Sequence, residues 1–243
     1  MVTRPSVNRI DAPGTGEQAW RAWPTLRALP AADVASWRSA VVVAAHPDDE
    51  VLGAGGTIAL LAAAGATIRL VAVTDGEASH PGASDTGALA RQRRAETAAA
   101  LHELGAREVE VMRLAMPDAH LPAVEEYLEA VLTDLCGGFD VCLAPWHDDG
   151  HADHEAAGRA TWRARPDVLE YPIWMWHWAV PADARVPWHR ACRVPLPAHV
   201  AACKRAAIAA FASQLSERPG RAEPVLPPGI VAHFTRTDEV FLR

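Results

Sequence analysis

Residues 40–56 read AVVVAAHPDDEVLGAGG, and this stretch decides the fold. Residues 40–45 are apolar and largely β-branched, which is typical of a strand buried on both faces of a parallel sheet. The residues from Val51 to Gly65 are apolar or small and predict a closely packed helix. In open α/β sheets, ligands bind at the carboxyl ends of the strands. The segment between the predicted strand and the predicted helix, residues 46–50, is therefore a candidate site. It carries four ionisable residues, which are His46, Asp48, Asp49 and Glu50.

A second group of ionisable residues follows another predicted strand, at residues 140–144. His151 and His154 are three residues apart at the start of a predicted helix, so both side chains can reach one place. Together with His46 and an aspartate, they can supply the three protein ligands that a catalytic zinc uses beside an open position. Asp153 can support one histidine through a hydrogen bond. The alternative is a solvated loop, but two clusters after two strands favour a site for zinc or a similar divalent ion.

The rest of the chain alternates predicted strands with predicted helices. We expect strands at residues 67–73, 108–114, 140–144, 168–178 and about 190–194. We expect helices at 17–29, 88–104, 122–136 and 197–215, and a further helix from His154 to about residue 163. This alternation indicates an α/β protein of parallel βαβ units, a three-layer α/β/α sandwich with a mostly parallel sheet. No repeat or linker divides it, so we expect one domain at residues 39–243. Residues 1–38 would be an N-terminal extension that wraps around this domain.

Composition limits the class of partner. The chain has 243 residues, and its net charge of −7 argues against nucleic acid or an anionic membrane as the main partner. No apolar run is long enough to span a bilayer, and the first residues lack the apolar core of a signal peptide. The four cysteines show no C-x-x-C spacing, which predicts reduced, buried thiols. We therefore expect a cytoplasmic protein that acts on a small molecule.

Two motifs carry a resemblance to a known family. The segments HPDDE at residues 46–50 and HADH at residues 151–154 resemble the signature motifs of the LmbE/PIG-L-like de-N-acetylases. The resemblance extends from about residue 38 to the C-terminus, with further matching segments at 93–96, 117–118, 204–214 and 239–241. It implies a Rossmann-like fold, one zinc ion per chain and hydrolysis of an amide, usually the N-acetyl group of an amino sugar.

The resemblance also implies roles for the residues of the first motif. His46, Asp49 and His154 would hold the metal ion, and Asp48 would be the general base that takes a proton from the attacking water. The spacing of the residues alone leaves open which of Asp48 and Asp49 binds the metal.

Further roles follow from the resemblance by position. His151 would stabilise the oxyanion of the tetrahedral intermediate, with Asp153 orienting it. Arg93 and Asp118 would hold hydroxyl groups of the substrate. One position departs from the thiol-pathway enzymes of the family, which have a tyrosine two residues before the first histidine of the second motif. Here that residue is Asp149, so the role of the tyrosine is lost or moved.

The segment from residue 171 to 178, YPIWMWHW, is the least family-like. Read as a strand, it places Trp174, Trp176 and Trp178 on one face, because side chains alternate along a strand. Such a wall can pack under a helix, anchor a homo-oligomer interface or stack on a ligand. We favour a wall beside the substrate, in which Trp176 contacts the group to which the amino sugar is attached.

Three functions from different classes remain open at this stage. The preferred one is a zinc-dependent deacetylase acting on a small amino-sugar conjugate of the N-acetylglucosamine type. The second is a zinc amidase or deacylase acting on a non-sugar amide, such as a thiol conjugate or a natural-product intermediate. The third is a non-catalytic nucleotide or cofactor binder. The glycines at positions 53, 55 and 56 do not match the G-x-G-x-x-G fingerprint of dinucleotide binding, and tight helix–sheet packing explains them better.

Overall fold

The computed structural model describes residues 10, 13–82, 85–217 and 223–243. These residues form one seven-stranded sheet. Its strands are β1 (Ser39–Ala44), β2 (Thr67–Thr74), β3 (Glu110–Met116), β4 (Val141–Pro145), β5 (Leu169–Tyr171), β6 (Ala191–Pro195) and β7 (Asp238–Leu242). The helices are α1 (Glu17–Ala22), α2 (Thr25–Ala28), α3 (Asp49–Ala63), α4 (Thr86–Glu103), α5 (Glu125–Cys136), α6 (Ala152–Ala164), α7 (Met175–Trp178), α8 (Ala198–Ala209), α9 (Ala212–Leu215) and α10 (Pro228–His233).

The sheet is mostly parallel, as the sequence predicts. Its order is β3-β2-β1-β4-β5-β7-β6. The strands from β3 to β5 pair in parallel, whereas β7 is antiparallel to both β5 and β6. Val42 of β1 packs in the hydrophobic cluster that includes α3 and α8, and Val41 and Val43 pack in the cluster that includes α5 and α6. The central strand is therefore buried on both faces, and the three-layer α/β/α sandwich is confirmed.

Glycines in α3 allow this helix to lie close to the sheet. A Cβ atom added at Gly53 would lie 2.2 Å from the ring of Tyr171, and one at Gly56 would lie 2.5 Å from Leu196. The hydroxyl of Tyr171 donates a hydrogen bond to the carbonyl of Val43 at 2.5 Å, which holds the ring in place. The prediction that these glycines serve helix–sheet packing is confirmed.

A buried ion pair ties α8 to α3 and β7. The ammonium of Lys204 donates to Glu239 at 2.6 Å and to the carbonyl of Leu52 at 2.8 Å. The same carboxylate accepts from the backbone N–H groups of Gly56 and Thr57. These bonds satisfy two charges that would otherwise be costly in the core, and they fix α3 behind the candidate site.

The strand predicted at residues 168–178 is wrong in its second half. β5 ends at Tyr171, and residues 175–178 form the short helix α7. Pro172 has no N–H group with which to continue the ladder. The backbone N–H groups of residues 173–175 bind the carboxylate of Asp149 instead of a neighbouring strand. The three tryptophans therefore do not share one face of a strand.

Several other boundaries differ from the prediction. The helix predicted at residues 17–29 is divided into α1 and α2, because Trp23 precedes a proline and takes an extended conformation with ψ 108°. The helix predicted at 197–215 is interrupted at Phe211, between α8 and α9. The helix predicted at 122–136 begins with a 3-10 turn at Leu121–Val124. Within the described part of the chain, no helix combines the length and apolarity needed to cross a membrane.

Residues 13–38 pack along the side of the sheet. Trp20 is 0% exposed, and its indole N–H donates to the carbonyl of Trp176 at 2.8 Å. Further along, Ala32 donates to the carbonyl of Arg193 at 2.8 Å, and Arg193 donates to the carbonyl of Pro30 at 2.9 Å. These contacts agree with a segment that wraps around the domain. Residues 1–9, 11 and 12 lie outside the described residues, and the division of the chain at residue 38 stays a prediction.

Candidate metal centre

A cavity of about 220 Å³ lies at the carboxyl ends of the parallel strands. The segments that follow β1, β2, β3 and β4 all contribute to it, as expected for an open α/β sheet. It is lined by His46, Asp48, Asp49, Leu52, Ala78, Ser79, Arg93, Asp118, Ala119, His151, His154, Ile173, Trp174, Gln214, Val225 and Leu226. Of the nine site residues predicted from the sequence, those missing from this lining are Asp153 and Trp176.

The three predicted metal ligands converge at one end of this cavity. Nδ1 of His46 lies 3.1 Å from Nε2 of His154. The carboxylate of Asp49 places one oxygen 3.5 Å from Nδ1 of His46 and the other 3.3 Å from Nε2 of His154. Ligand bonds of about 2.0–2.1 Å in a tetrahedron separate neighbouring ligand atoms by about 3.4 Å. The distances from the two ring nitrogens to each other and to the two oxygens of Asp49 are close to this value, so the three side chains suit a tetrahedral ion such as zinc.

Hydrogen bonds on the far side of each ring fix which nitrogen faces the centre. Nδ1 of His154 donates to Asp149 at 2.8 Å, so its Nε2 carries a lone pair. Nε2 of His46 lies 3.2 Å from both Asp118 and Asp153, which leaves the lone pair on Nδ1. Two lone pairs and a carboxylate that face one another repel unless a cation or a proton lies between them. The donor set thus fits a divalent metal ion.

The pKa values of His46 and His154 also indicate that the centre attracts positive charge. Burial lowers the pKa of His46, but hydrogen bonds to Asp118, Asp153 and Asp49 outweigh burial and raise its pKa well above the ordinary value. Burial also lowers the pKa of His154, and the charge of Asp49 more than offsets it, so that the pKa is raised. The centre attracts positive charge, and protons compete with a metal ion for it.

Asp48 lies beside these ligands in a strained backbone conformation, with φ 128°. A non-glycine residue in this region is held there by its surroundings, and such strain often occurs at functional sites. The guanidinium of Arg93 donates to Asp48 at 3.2 Å, to the carbonyl of Pro47 at 2.5 Å and to the carbonyl of Gly76 at 2.9 Å. Burial raises the pKa of Asp48 to about 7, although the charge of Arg93 opposes this. Its carboxyl group therefore exchanges protons near neutral pH.

His151 lies on the open side of the centre as a neutral ring. Its centroid is 4.7 Å from that of His154 and 5.0 Å from that of His46. Burial lowers the pKa of His151 to about 3. Its Nδ1 accepts a hydrogen bond from the backbone N–H of Asp153 at 3.3 Å, so the ring proton is on Nε2. His46, His151 and His154 are also close enough to hold a metal ion together.

Asp153 and Asp118 support His46 from the side opposite the centre. The carboxylate of Asp153 lies 3.2 Å from Nε2 of His46. It also accepts hydrogen bonds from the backbone N–H groups of Ala119 at 2.7 Å and Leu121 at 3.1 Å. The sequence predicts that Asp153 orients His151, and in the structure the backbone N–H of Asp153 donates to that ring at 3.3 Å, whereas its carboxylate is directed to His46. The reason is geometric, since its side chain points toward the segment after β3. Asp118 lines the cavity and accepts from the backbone of Ala78 at 2.7 Å.

Trp176 lies outside the cavity, contrary to the prediction. Its side chain is 3% exposed and packs edge-on against Trp20 at 5.0 Å, with the guanidinium of Arg236 over the ring at 4.0 Å. Residues 175–178 form a helical turn, and Trp176 packs in the hydrophobic core. The tryptophan that lines the cavity is Trp174.

Asp149 contacts the site in a way that the sequence did not reveal. It is fully buried at 0% exposure, and its carboxylate accepts the Nδ1–H of His154. By sequence alone, this position differs from the thiol-pathway enzymes only in the loss of a tyrosine. A signal is present in the spacing, since the carboxylate precedes the H-x-x-H segment by two residues, but its partner in the fold is visible only in three dimensions.

Comparisons with known proteins agree with this site. A sequence model of the family described as PIG-L, GlcNAc-PI de-N-acetylase, matches residues 41–165. Two relatives are named 1D-myo-inositol 2-acetamido-2-deoxy-alpha-D-glucopyranoside deacetylase 2. The one from Saccharopolyspora erythraea is 46% identical over 72 residues, which is 27% of this chain and 26% of the relative. The one from Catenulispora acidiphila is 32% identical over 154 residues, or 52% and 51%. The chain thus spans about half the length of these relatives or less.

A solved structure shows the same fold. N,N'-diacetylchitobiose deacetylase from Pyrococcus horikoshii matches with a TM-score of 0.61 and 21% sequence identity, covering 85% of this chain and 82% of the other. The family match extends over half of the chain and contains both histidine motifs, at 46–50 and 151–154. This protein therefore belongs to the PIG-L (GlcNAc-PI de-N-acetylase) family.

Proposed function

We propose that this protein hydrolyses the N-acetyl amide of a small amino-sugar conjugate and releases acetate and a free amine. One zinc ion, held by His46, Asp49 and His154, would be its cofactor. The observation that carries the proposal is the convergence of two histidine lone pairs and a carboxylate beside Asp48, at the end of a cavity of about 220 Å³. The names of the relatives support the substrate class, because both act on an acetamido sugar joined to inositol.

The residues around the proposed metal divide the work of amide hydrolysis. His46, Asp49 and His154 would hold a zinc ion, which would supply a water ligand of pKa near 7 and would polarise the amide carbonyl. Asp48 lies beside the proposed metal ligands, so its carboxylate would accept the proton of the attacking water and return it to the amine as the C–N bond breaks. His151 is neutral with its proton on Nε2, so it donates to the oxyanion. A donor of this kind typically lowers the activation free energy by about 3–4 kcal/mol.

The polar wall of the cavity would hold the sugar. Arg93 and Asp118 both line it, and we assign hydroxyl binding to them. Arg93 also holds the carboxyl group of Asp48 at 3.2 Å, so loss of its guanidinium would disturb the base as well as the sugar. The lining also includes the apolar side chains of Ile173, Trp174 and Leu226, which would face the less polar part of the conjugate.

Metal content and acetate release test this proposal together. Purified protein should contain about one divalent metal ion per chain, as measured by inductively coupled plasma mass spectrometry. It should release acetate from N-acetylglucosaminyl-inositol, N-acetylglucosamine or N,N'-diacetylchitobiose, but not from a non-sugar acetamide. His154→Ala should lose most of the metal, while His102→Ala, an exposed histidine of α4, should keep it. Acetate release from the non-sugar amide alone would favour the amidase alternative.

The variant Asp48→Asn tests whether Asp48 acts as the general base or as a metal ligand. It should keep the metal and lose about 10²–10⁴-fold in kcat, because an amide cannot accept the proton of water. If this variant loses the metal instead, the roles of Asp48 and Asp49 must be exchanged. If it keeps both metal and activity, the proposed proton transfer is wrong.

A further inference from the structure

One buried carboxylate connects the proposed metal ligand with the wall of the substrate cavity. Oδ2 of Asp149 accepts the Nδ1–H of His154 at 2.8 Å and the backbone N–H of Trp174 at 2.9 Å. Oδ1 accepts the backbone N–H groups of Ile173 at 2.9 Å and Met175 at 3.0 Å. A carboxylate has about four lone-pair positions, and here four donors occupy them.

The segment that Asp149 holds is part of the cavity. Ile173 and Trp174 both line it, and their backbone has left the sheet at Pro172. A second bond reinforces the link, because the indole N–H of Trp178 donates to the carbonyl of Asp149 at 2.6 Å. The position of this wall therefore depends on Asp149 more than on pairing with a neighbouring strand.

We propose that Asp149 is a positioning residue that sets the ring of His154 and the wall at residues 173–175 at the same time. The inference rests on the proposed function only in taking His154 as a metal ligand. Metal affinity and substrate fit are then coupled through one side chain that touches neither the metal nor the substrate. A change at Asp149 affects both properties, whereas a change of the Trp174 side chain affects substrate fit alone.

The variant Asp149→Asn has a defined defect. Its carbonyl oxygen can keep the bonds to Ile173 and Met175, but its NH₂ group then faces two donors, the Nδ1–H of His154 and the N–H of Trp174. Either the imidazole moves its proton to Nε2, which removes the lone pair from the metal centre, or the wall moves away. Loss of the hydrogen-bond partner of a metal-ligating histidine typically weakens metal affinity 10–100-fold.

Zinc affinity is the first readout, measured by competition with a chromophoric chelator. We expect Asp149→Asn to bind zinc 10–100-fold more weakly than the wild-type protein. The matched control Asp148→Asn changes the exposed neighbouring carboxylate and should leave the affinity unchanged. Equal zinc affinity in wild type and both variants would overturn the inference, even if the protein proves to be a deacetylase.

The second readout separates the wall from the metal. At zinc concentrations that saturate both proteins, Asp149→Asn should still show a KM for the acetamido sugar raised about 5-fold, the equivalent of one neutral hydrogen bond. Full recovery of KM under these conditions would show that the carboxylate acts on the metal ligand alone, and the coupling would be wrong.

The wild-type protein supplies a test that needs no variant. In the zinc-loaded protein labelled with ¹⁵N, the Nδ1–H of His154 should appear as a slowly exchanging ring proton. Absence of that proton would overturn the assignment of Asp149 as its acceptor. If the proton and the zinc affinities behave as expected but no acetate is released from any amino sugar, only the proposed function fails.

Discussion

Glu50 gives the sharpest prediction about stability, because its carboxyl group is buried and only one of its two oxygens has a hydrogen-bond partner among the described residues. The side chain is 1% exposed, and Oε2 accepts the backbone N–H of Asp48 at 3.1 Å. Oε1 has no hydrogen-bond partner among the described residues. Burial raises the pKa of Glu50 from 4.5 to about 8. The folded protein therefore keeps this proton over a pH range in which the unfolded chain has already released it.

The sign of the effect follows from linkage. Between the unfolded pKa of 4.5 and the folded pKa of about 8, the native state binds the extra proton, so the free energy of unfolding falls as pH rises. One pKa unit corresponds to about 1.4 kcal/mol, so this single group costs about 5 kcal/mol across the whole range and about 2–3 kcal/mol between pH 6 and pH 8. Glu50→Gln removes the titration and should be more stable than wild type at pH 8.

Urea unfolding at pH 6, 7 and 8 measures this difference, with a chelator present so that no bound cation changes the local charge. The curve of Glu50→Gln against pH should be flatter than that of wild type by about 2–3 kcal/mol. Glu126→Gln, an exposed change on α5, should run parallel to wild type. If Glu50→Gln also runs parallel to wild type, the carboxyl group is charged in the native state and the reasoning is refuted.

Two further predictions concern the tryptophans and the buried ion pair. Trp174→Ala should raise KM for the amino-sugar conjugate with little change in stability, whereas Trp176→Ala should cost about 3–5 kcal/mol of stability, because it empties a core position; steady-state kinetics and urea unfolding of both variants check this contrast. Lys204→Met should cost about 3–5 kcal/mol, since it leaves the charge of Glu239 buried without its cation. The double variant Lys204→Met/Glu239→Gln should recover part of that loss in a double-mutant cycle, and strict additivity would contradict a coupled pair.

The elements that sequence predicts well are those whose signal is local. Residues 40–45 are uniformly apolar, and residues 40–44 lie in β1, which is buried on both faces. His46 and His154 each follow a strand, and the parallel pairing of β1 with β4 brings them together. The packing role of Gly53 was likewise visible in its neighbours along the chain. In these cases a pattern of a few residues contains the physical reason for the structure.

The elements that escaped prediction depend on partners far along the chain. The alternating pattern at residues 173–178 resembles a strand, yet a carboxylate more than twenty residues earlier binds its backbone N–H groups and favours a helical turn. The strand at residues 238–242 has a short signal and is stabilised by pairing with β6. The partners of the Asp153 carboxylate were hidden for the same reason, because two of them are backbone N–H groups in the segment after β3.

The contact between residues 30–32 and β6 has a consequence for solubility. β6 is the outermost strand on its side of the sheet, and such an edge offers free N–H and C=O groups to any other extended chain. The bonds from Ala32 to Arg193 and from Arg193 to Pro30 cover part of that edge with the protein's own backbone, and proline itself cannot donate to a further strand. The N-terminal segment thus blocks part of this edge from pairing with the edge strand of a second copy, which would join the two sheets into one continuous sheet.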